Sequence, residues 1–304
     1  MQSLKSLILA LVLTFASSTC FAQQPATRPA NLPSNIDFLP NIQYANPDSH
    51  PQYLDIYVPK EANAKMPVIV AIHGGGWVGG DKRNPPVVPL VKDGYAIVSI
   101  NYRLSNVAQF PAQIQDCKAA IRWVRANAEK YHFDADHIGV WGDSAGGHLV
   151  ALLGTTDGNK DLEGDEGNLK YSSRVQAVCD LYGPADFLTI NDQAPSDTAI
   201  HHNAPDSPEA KLIGGAIPDN QEKARRASPV HYVTKDAAPF LIMHGDNDKL
   251  VPLAQSEELA GALQKAGVEV KLHVVKGAGH GFPGHPELLP MIKSFFDRHL
   301  KAGA

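Results

Sequence analysis

Three short stretches carry the residue types of nucleophilic catalysis, in a chain order that could assemble them. Residues 139–154, GVWGDSAGGHLVALLG, pass from an apolar run through glycines into a helical pattern and hold Ser144 in a GxSxG string from Gly142 to Gly146. A serine at so sharp a strand-to-helix turn is forced into strained backbone and lifted onto the amino end of the helix. Glycines two before and two after it are needed because Cβ atoms there would collide. Near neutral pH its hydroxyl is a poor nucleophile without a base. Of the 13 histidines, the candidate base is His280 in KGAGHGF, which follows the last strand-like run and is flanked by Gly279 and Gly281, so that the loop can bend back over the sheet. The base needs an orienting carboxylate, and LIMHGDNDKLVP offers Asp246 and Asp248 just past a strand end. Asp248 is preferred, because Asp246 lies nearer the strand end and suits the role of capping the turn. A serine, an acid and a histidine in this order fit acyl transfer to water through a covalent intermediate.

A fourth stretch, VIVAIHGGGWVGGDK at residues 68–82, spells GxGxxG at Gly74, Gly76 and Gly79. Such a turn can aim bare N–H groups at a negative charge. A dinucleotide site would also want a helix starting in the turn and an acid at the end of the next strand. Here Pro85 and Pro86 stand where that helix should run, and the next strand ends at Asn101. The negative charge to be held is therefore not a bound phosphate.

The elements that must position these residues are legible as apolar runs. Strand-like segments recur at 53–59, 67–74, 95–103, 137–143, 175–183, 239–246 and 268–277. Helical patterns follow Pro111, span Leu253 to Ala266 before a capping Gly267, and begin again at Pro286. Strands apolar on both faces, alternating with amphipathic helices, predict an α/β fold with a mostly parallel central sheet and helices on both sides. The irregular stretch 184–236 is expected to be a cap-like insertion, and the Pro/Asn/Gln-rich leader 23–52 a loose or strapped segment, placed over the active site. Trp77, Tyr182 and Phe187 are candidate walls of the substrate pocket.

Composition narrows the class. The chain has 304 residues, 43% hydrophobic and 19% charged, with a formal net charge of −5. Residues 1–22 read as a signal peptide, with Lys5, an apolar run from Leu7 to Phe15, and small Cys20 and Ala22 before a cut ahead of Gln23. That places the mature protein in the periplasm or outside the cell, without stable membrane insertion. Its removal takes away one lysine and no acid, so −5 becomes −6, which argues against a nucleic-acid partner. Cys117 and Cys179 read as small buried hydrophobes. There is no HExxH or CxxC, and the acidic loop 157–167 has Leu162 where a calcium loop needs glycine, so no metal is expected.

HGGGW at His73 to Trp77, NYRL at Asn101 to Leu104, FPAQIQD at Phe110 to Asp116, GDSAGG at Gly142 to Gly147, HGDND with KLVP, and GAGHGF occur together and in order. Together they resemble the α/β-hydrolase carboxylesterases of the hormone-sensitive-lipase and bacterial feruloyl-esterase type, from about residue 50 onward. The resemblance implies an α/β-hydrolase catalytic domain over 53–304 and Asp248 as the acid. It also implies oxyanion N–H groups from Gly75, Gly76 and Ala145, and catalysis without a cofactor. It further implies a small-molecule or polysaccharide-linked ester as substrate, with an acetyl, short-chain or aromatic (feruloyl) acyl group. An amidase or peptidase using the same three residues is the alternative, since HGGGW is also similar to the arylformamidase pattern. A non-catalytic binding module would lack one of the three residues, and none is missing.

Overall fold

The apolar runs pair into one sheet of eight strands: β1 (Ile36–Ala45), β2 (Gln52–Pro59), β3 (Met66–Ile72), β4 (Ala96–Ile100), β5 (Phe133–Asp143), β6 (Ala177–Leu181), β7 (Phe240–Gly245) and β8 (Val270–Val275). The computed structural model describes residues 27–61 and 64–301, so the expected signal peptide 1–22 lies outside the described residues. The strand order is β1-β2-β4-β3-β5-β6-β7-β8. From β4 to β8 every neighbour is parallel, while β1 and β2 are antiparallel to their neighbours. Alternate side chains of the parallel strands enter two separate cores. Val68, Val70 and Ile72 face the helices Ala112–Ala126, Ala145–Thr155 and Leu253–Lys265, whereas Ile69 and Ala71 face the helix Leu288–Leu300. Both faces are thus covered, as the near-continuous apolar runs require. Cys117 lies in the first core and Cys179 in the second, both buried and free.

The leader departs from its expectation. Residues 36–45 form the edge strand β1, and no described residue of 27–52 lines the cavity over Ser144. Pro40 and Asn41 hid the strand, because they break the alternation at the point where the register shifts between Leu39 and Ile42. A proline is tolerated there because β1 is an edge. The bulge has a partner: the Asn41 N–H donates to Asp55 Oδ1 at 2.7 Å, and the Lys82 ammonium pairs with the same oxygen at 2.7 Å.

The acidic loop also has a structural occupation. Glu163 pairs with the buried Lys118 and Arg122, and Glu166 with Arg103, which holds Asp116 through two nitrogens. Three of these cationic and acidic partners, Asp116, Lys118 and Arg122, lie on the helix that packs beside the nucleophile's helix. Its Glu163 and Glu166 neutralise buried cations.

Residues 184–236 form short helical pieces, among them Ile190–Gln193, Pro208–Ile213 and Gln221–Ala227, over the carboxyl edge of the sheet. Buried side chains tie them down. Gln255 accepts from the N–H groups of Ala185 and Asp186, both at 2.8 Å, and Ser228 accepts from Phe187 N–H at 2.9 Å. Among the described residues no helix is long and apolar enough to cross a membrane.

Candidate active site

At the end of β5 the chain turns into the helix Ala145–Thr155 through Ser144, whose φ of 52° and ψ of −119° lie in the left-handed half of backbone space. The flanking glycines are compulsory. A Cβ on Gly142 would stand 2.3 Å from Gly146 O, and one on Gly146 would stand 2.1 Å from Ile72 O, the end of β3. Backbone meets backbone at both places, so neither clash can relax by a rotamer change. The strain at a non-glycine residue of this kind costs on the order of 1–3 kcal/mol and is held by the surrounding structure. The Ser144 N–H donates to Leu181 O at 2.8 Å and its carbonyl accepts from His148 N–H at 3.0 Å.

Ser144 Oγ lies 2.8 Å from His280 Nε2, and His280 Nδ1 lies 2.7 Å from Asp248 Oδ2. A carboxylate oxygen accepts, so Nδ1 carries the proton and Nε2 presents its lone pair to the hydroxyl. Asp248 Oδ1 is occupied by the N–H groups of Leu250 and Val251 at 2.8 and 3.0 Å. Burial opposes the charge of Asp248. The donors from His244 and His280, the His280 charge and the Leu250 N–H outweigh it, holding the carboxyl well below the usual carboxylate range. Asp246, the other candidate, is exposed and accepts from Gly277 N–H at 2.6 Å, capping the turn. Tyr182 stands edge-on to the His280 ring, with centroids 4.7 Å apart.

The glycine-rich turn after β3 faces the same point. Gly75 and Gly76 have φ of 107° and 58°, values that favour glycine. No described residue accepts from their N–H groups. Ala145 is the first residue of its helix, where the N–H has no partner within the helix. All three line a cavity of about 320 Å³ with Ser144 and His280. His73 holds the turn from behind: its ring stacks on Tyr102 with centroids 4.4 Å apart, and Tyr102 OH donates to His73 O at 3.0 Å. Gly74 N–H reaches Asp143 Oδ1 at 3.2 Å, tying this turn to the one that carries the serine.

The remaining walls are Trp77, Asp143, Tyr182, Pro184, Ile200, Pro208, Glu209, Leu250 and Val251. Trp77 and Tyr182 line the cavity, but Phe187 does not. It is fully buried one layer back, its ring 5.6 Å from Trp77 and stacked on His148 at 5.2 Å. Its own N–H is taken by Ser228, which fixes the chain with the ring pointing into the core. The insertion does contribute to the wall, through Ile200, Pro208 and Glu209.

Two groups have no counterpart in the sequence reading. His244, fully buried at the end of β7, places Nε2 2.9 Å from Val251 O and 3.3 Å from Asp248 Oδ2. A carbonyl only accepts, so Nε2 carries a proton shared with the oxygen that His280 uses. HGDND contains this histidine, and the motif was the available signal. Glu209, 3% exposed, is paired through Oε1 with Nδ1 of the fully buried His202 at 2.9 Å. The SPEA string reads as a helix start, Ser207 capping and Pro208 first, but nothing local says that its glutamate is buried. Among the described residues no group of three or more His, Cys, Asp or Glu side chains is placed to hold a metal ion.

Residues 54–263 match the BD-FAE family. The esterase LipC of Mycobacterium tuberculosis is 34% identical over 242 residues, covering 77% of this chain and 58% of its own. Three such curated relatives are matched over about half of their length. A solved truncated form of a carbohydrate esterase from gut microbiota is 37% identical with a TM-score of 0.79, covering 86% of this chain and 96% of its own. A bifunctional GH43-CE protein of Bacteroides eggerthii is 36% identical with a TM-score of 0.76, covering 86% of this chain and 35% of its own.

Proposed function

The chain belongs to the BD-FAE family of α/β-hydrolases, and from that premise we propose that it is a serine carboxylic-ester hydrolase. The observation that carries this reading is the unbroken line Ser144 Oγ to His280 Nε2 at 2.8 Å and His280 Nδ1 to Asp248 Oδ2 at 2.7 Å, with Gly75, Gly76 and Ala145 lining the same cavity as Ser144.

His280 Nε2 takes the Ser144 proton as Oγ attacks the ester carbonyl carbon. The carbonyl oxygen becomes an oxyanion held by the N–H groups of Gly75, Gly76 and Ala145, an interaction worth about 3 kcal/mol for each donor. Asp248 keeps the imidazole in the tautomer that accepts on Nε2 and stabilises the imidazolium. Collapse of the tetrahedral adduct breaks the carbon–oxygen bond to the alcohol, and His280 returns its proton to that oxygen. Water, deprotonated by His280, then attacks the acyl-enzyme, and the acid leaves with Ser144 Oγ restored.

A cavity of about 320 Å³ suits a short acyl or single aromatic acyl group, at the small end of ligand pockets. The likeness to carbohydrate esterases supports an acetyl or feruloyl ester on a carbohydrate as the natural substrate. Export fits that setting, and we place cleavage before Gln23. Amino-terminal sequencing of protein recovered outside the cytoplasm should begin there, and an intact Met1 terminus would sink the assignment.

The test of the reaction compares 4-nitrophenyl acetate with 4-nitroacetanilide. Ester turnover should dominate and fall by about 10⁶ in Ser144→Ala. Asp248→Asn should lose about 10⁴ in kcat, while Asp246→Asn changes stability more than rate. Anilide preference would refute the esterase reading, and the reverse result for the two aspartates would reassign the acid.

A further inference from the structure

Glu209 is a buried acid in the wall of the cavity that holds Ser144, and the reaction scheme above does not use it. His202 occupies one of its oxygens. The bond from His202 Nδ1 to Oε1 at 2.9 Å fixes the carboxyl's rotation, and the other oxygen, Oε2, is buried with no hydrogen-bond partner among the described residues. An acceptor left bare in this way is costly, more so for a charged group. His202 itself is fully buried, with Nε2 also unpartnered among the described residues.

The position of this acid is specific. It follows Pro208, the residue that a Cβ on Gly76 would meet at 3.4 Å, so the Pro208–Glu209 step lies directly against the oxyanion turn. An ester whose carbonyl oxygen sits on Gly76 would lie beside Pro208, in the cavity that Glu209 also lines. The surrounding wall is mainly apolar, formed by Trp77, Ile200, Leu250 and Val251. The ionisable side chains that face the cavity are Asp143, Glu209, Tyr182 and His280, with no lysine or arginine among the lining residues. As a carboxylate, Glu209 only accepts, so the ligand group that satisfies Oε2 is a hydrogen donor. An anionic group there would meet two carboxylates and no cation.

The geometry points to Glu209, held by His202, as a specificity-determining residue that accepts a hydroxyl hydrogen from an uncharged, hydroxylated ester. The inference rests on the esterase reading and deepens it. Two sources of that hydroxyl share the chemistry: a sugar on the alcohol side, or a phenol on an aromatic acyl group. Methyl etherification removes the donor from either one while leaving the ester in place.

The experiment measures kcat/KM for two matched pairs with the full mature chain. One pair is methyl 2-O-acetyl-β-xyloside and its 3,4-di-O-methyl ether. The other is methyl ferulate and methyl 3,4-dimethoxycinnamate. The wild type should favour the hydroxylated member of at least one pair by about tenfold to a hundredfold, the range for a hydrogen bond to a charged group, and that pair identifies the source. Glu209→Gln, which keeps an acceptor but loses the charge, should shrink the ratio, and Glu209→Met should bring it close to one. Ratios near one in both pairs for the wild type, or a ratio that survives in Glu209→Met, would overturn the inference. Should Glu209→Met fail to fold, the wild-type ratios and Glu209→Gln still decide. Hydrolysis of 4-nitrophenyl acetate that vanishes in Ser144→Ala separates the two readings. With that activity present, absent ratios sink this inference alone; without it, both fall.

Discussion

The two glycine-dense turns at the carboxyl edge of the sheet look alike in sequence but are constrained in different ways. In the turn that carries Ser144, each flanking glycine is pressed against backbone, Gly142 against Gly146 O and Gly146 against Ile72 O, at 2.3 and 2.1 Å from the Cβ position. In the turn from His73 to Gly80 the constraint is uneven. Gly75 is confined by Gly79 O at 2.4 Å and Gly80 by the His73 ring at 2.4 Å, but Gly76 meets only side chains, at 3.4 Å or more, and Gly79 has a single atom at 4.0 Å. The first turn is a rigid mount for a nucleophile, while the second is a frame with slack in it. They are joined at two points. Gly74 N–H reaches Asp143, and His148, from the nucleophile's helix, packs between Trp77 and Phe187.

This difference can be tested by substitution. Gly146→Ala should be the most damaging change, because its Cβ must displace the end of β3. A loss of more than about 4 kcal/mol, seen as failed soluble expression or collapse of the melting transition, is the expected outcome. Gly75→Ala strikes a loop, so the fold should survive with unchanged circular dichroism while kcat falls by about 10²–10³ through misplacement of one donor. If Gly75→Ala unfolded the protein and Gly146→Ala did not, the distinction between mount and frame would be reversed.

The joint itself should respond to pH. Burial pushes the His148 imidazole down to about 4 from an ordinary 6.5, opposed by the Ala227 carbonyl that accepts from Nε2 at 2.7 Å. The unfolded chain therefore binds this proton first. The neutral form's stabilisation is complete above pH 6.5 and lost as the pH falls towards 4, amounting to roughly 3 kcal/mol. Denaturant midpoints at pH 7 and 4.5 should differ more in the wild type than in His148→Leu, and equal differences would remove His148 as the cause. Gly79→Ala closes the series with the smallest effect, within about 0.5 kcal/mol of the wild type and about twofold in kcat/KM.

The parts of the molecule set by local pattern were readable in the chain itself. The seven apolar runs correspond to β2 through β8, and GDSAG, HGGGW and GAGHGF bring Ser144, Gly75, Gly76 and His280 around one cavity, with Asp248 of HGDND behind His280. What escaped was decided by partners distant in sequence. The strand β1 is interrupted by Pro40 and Asn41, and only pairing with β2 makes it a strand. Phe187 is a candidate wall by sequence, yet its N–H is held by Ser228, 41 residues on, and its ring is buried behind Trp77. Glu209 reads as an ordinary first-turn acid until docking of the insertion buries it against His202. Burial of a polar side chain is a tertiary event, and periodicity has no means of announcing it.

Cys117 and Cys179 face opposite sides of the β-sheet. Two cysteines can be bridged only when their Cα atoms lie within about 7 Å and their Cβ vectors converge, and a sheet between them forbids both. The folded domain owes none of its cohesion to a crosslink between these thiols. Both thiols are free and buried, so reducing and oxidising surroundings should yield the same native state.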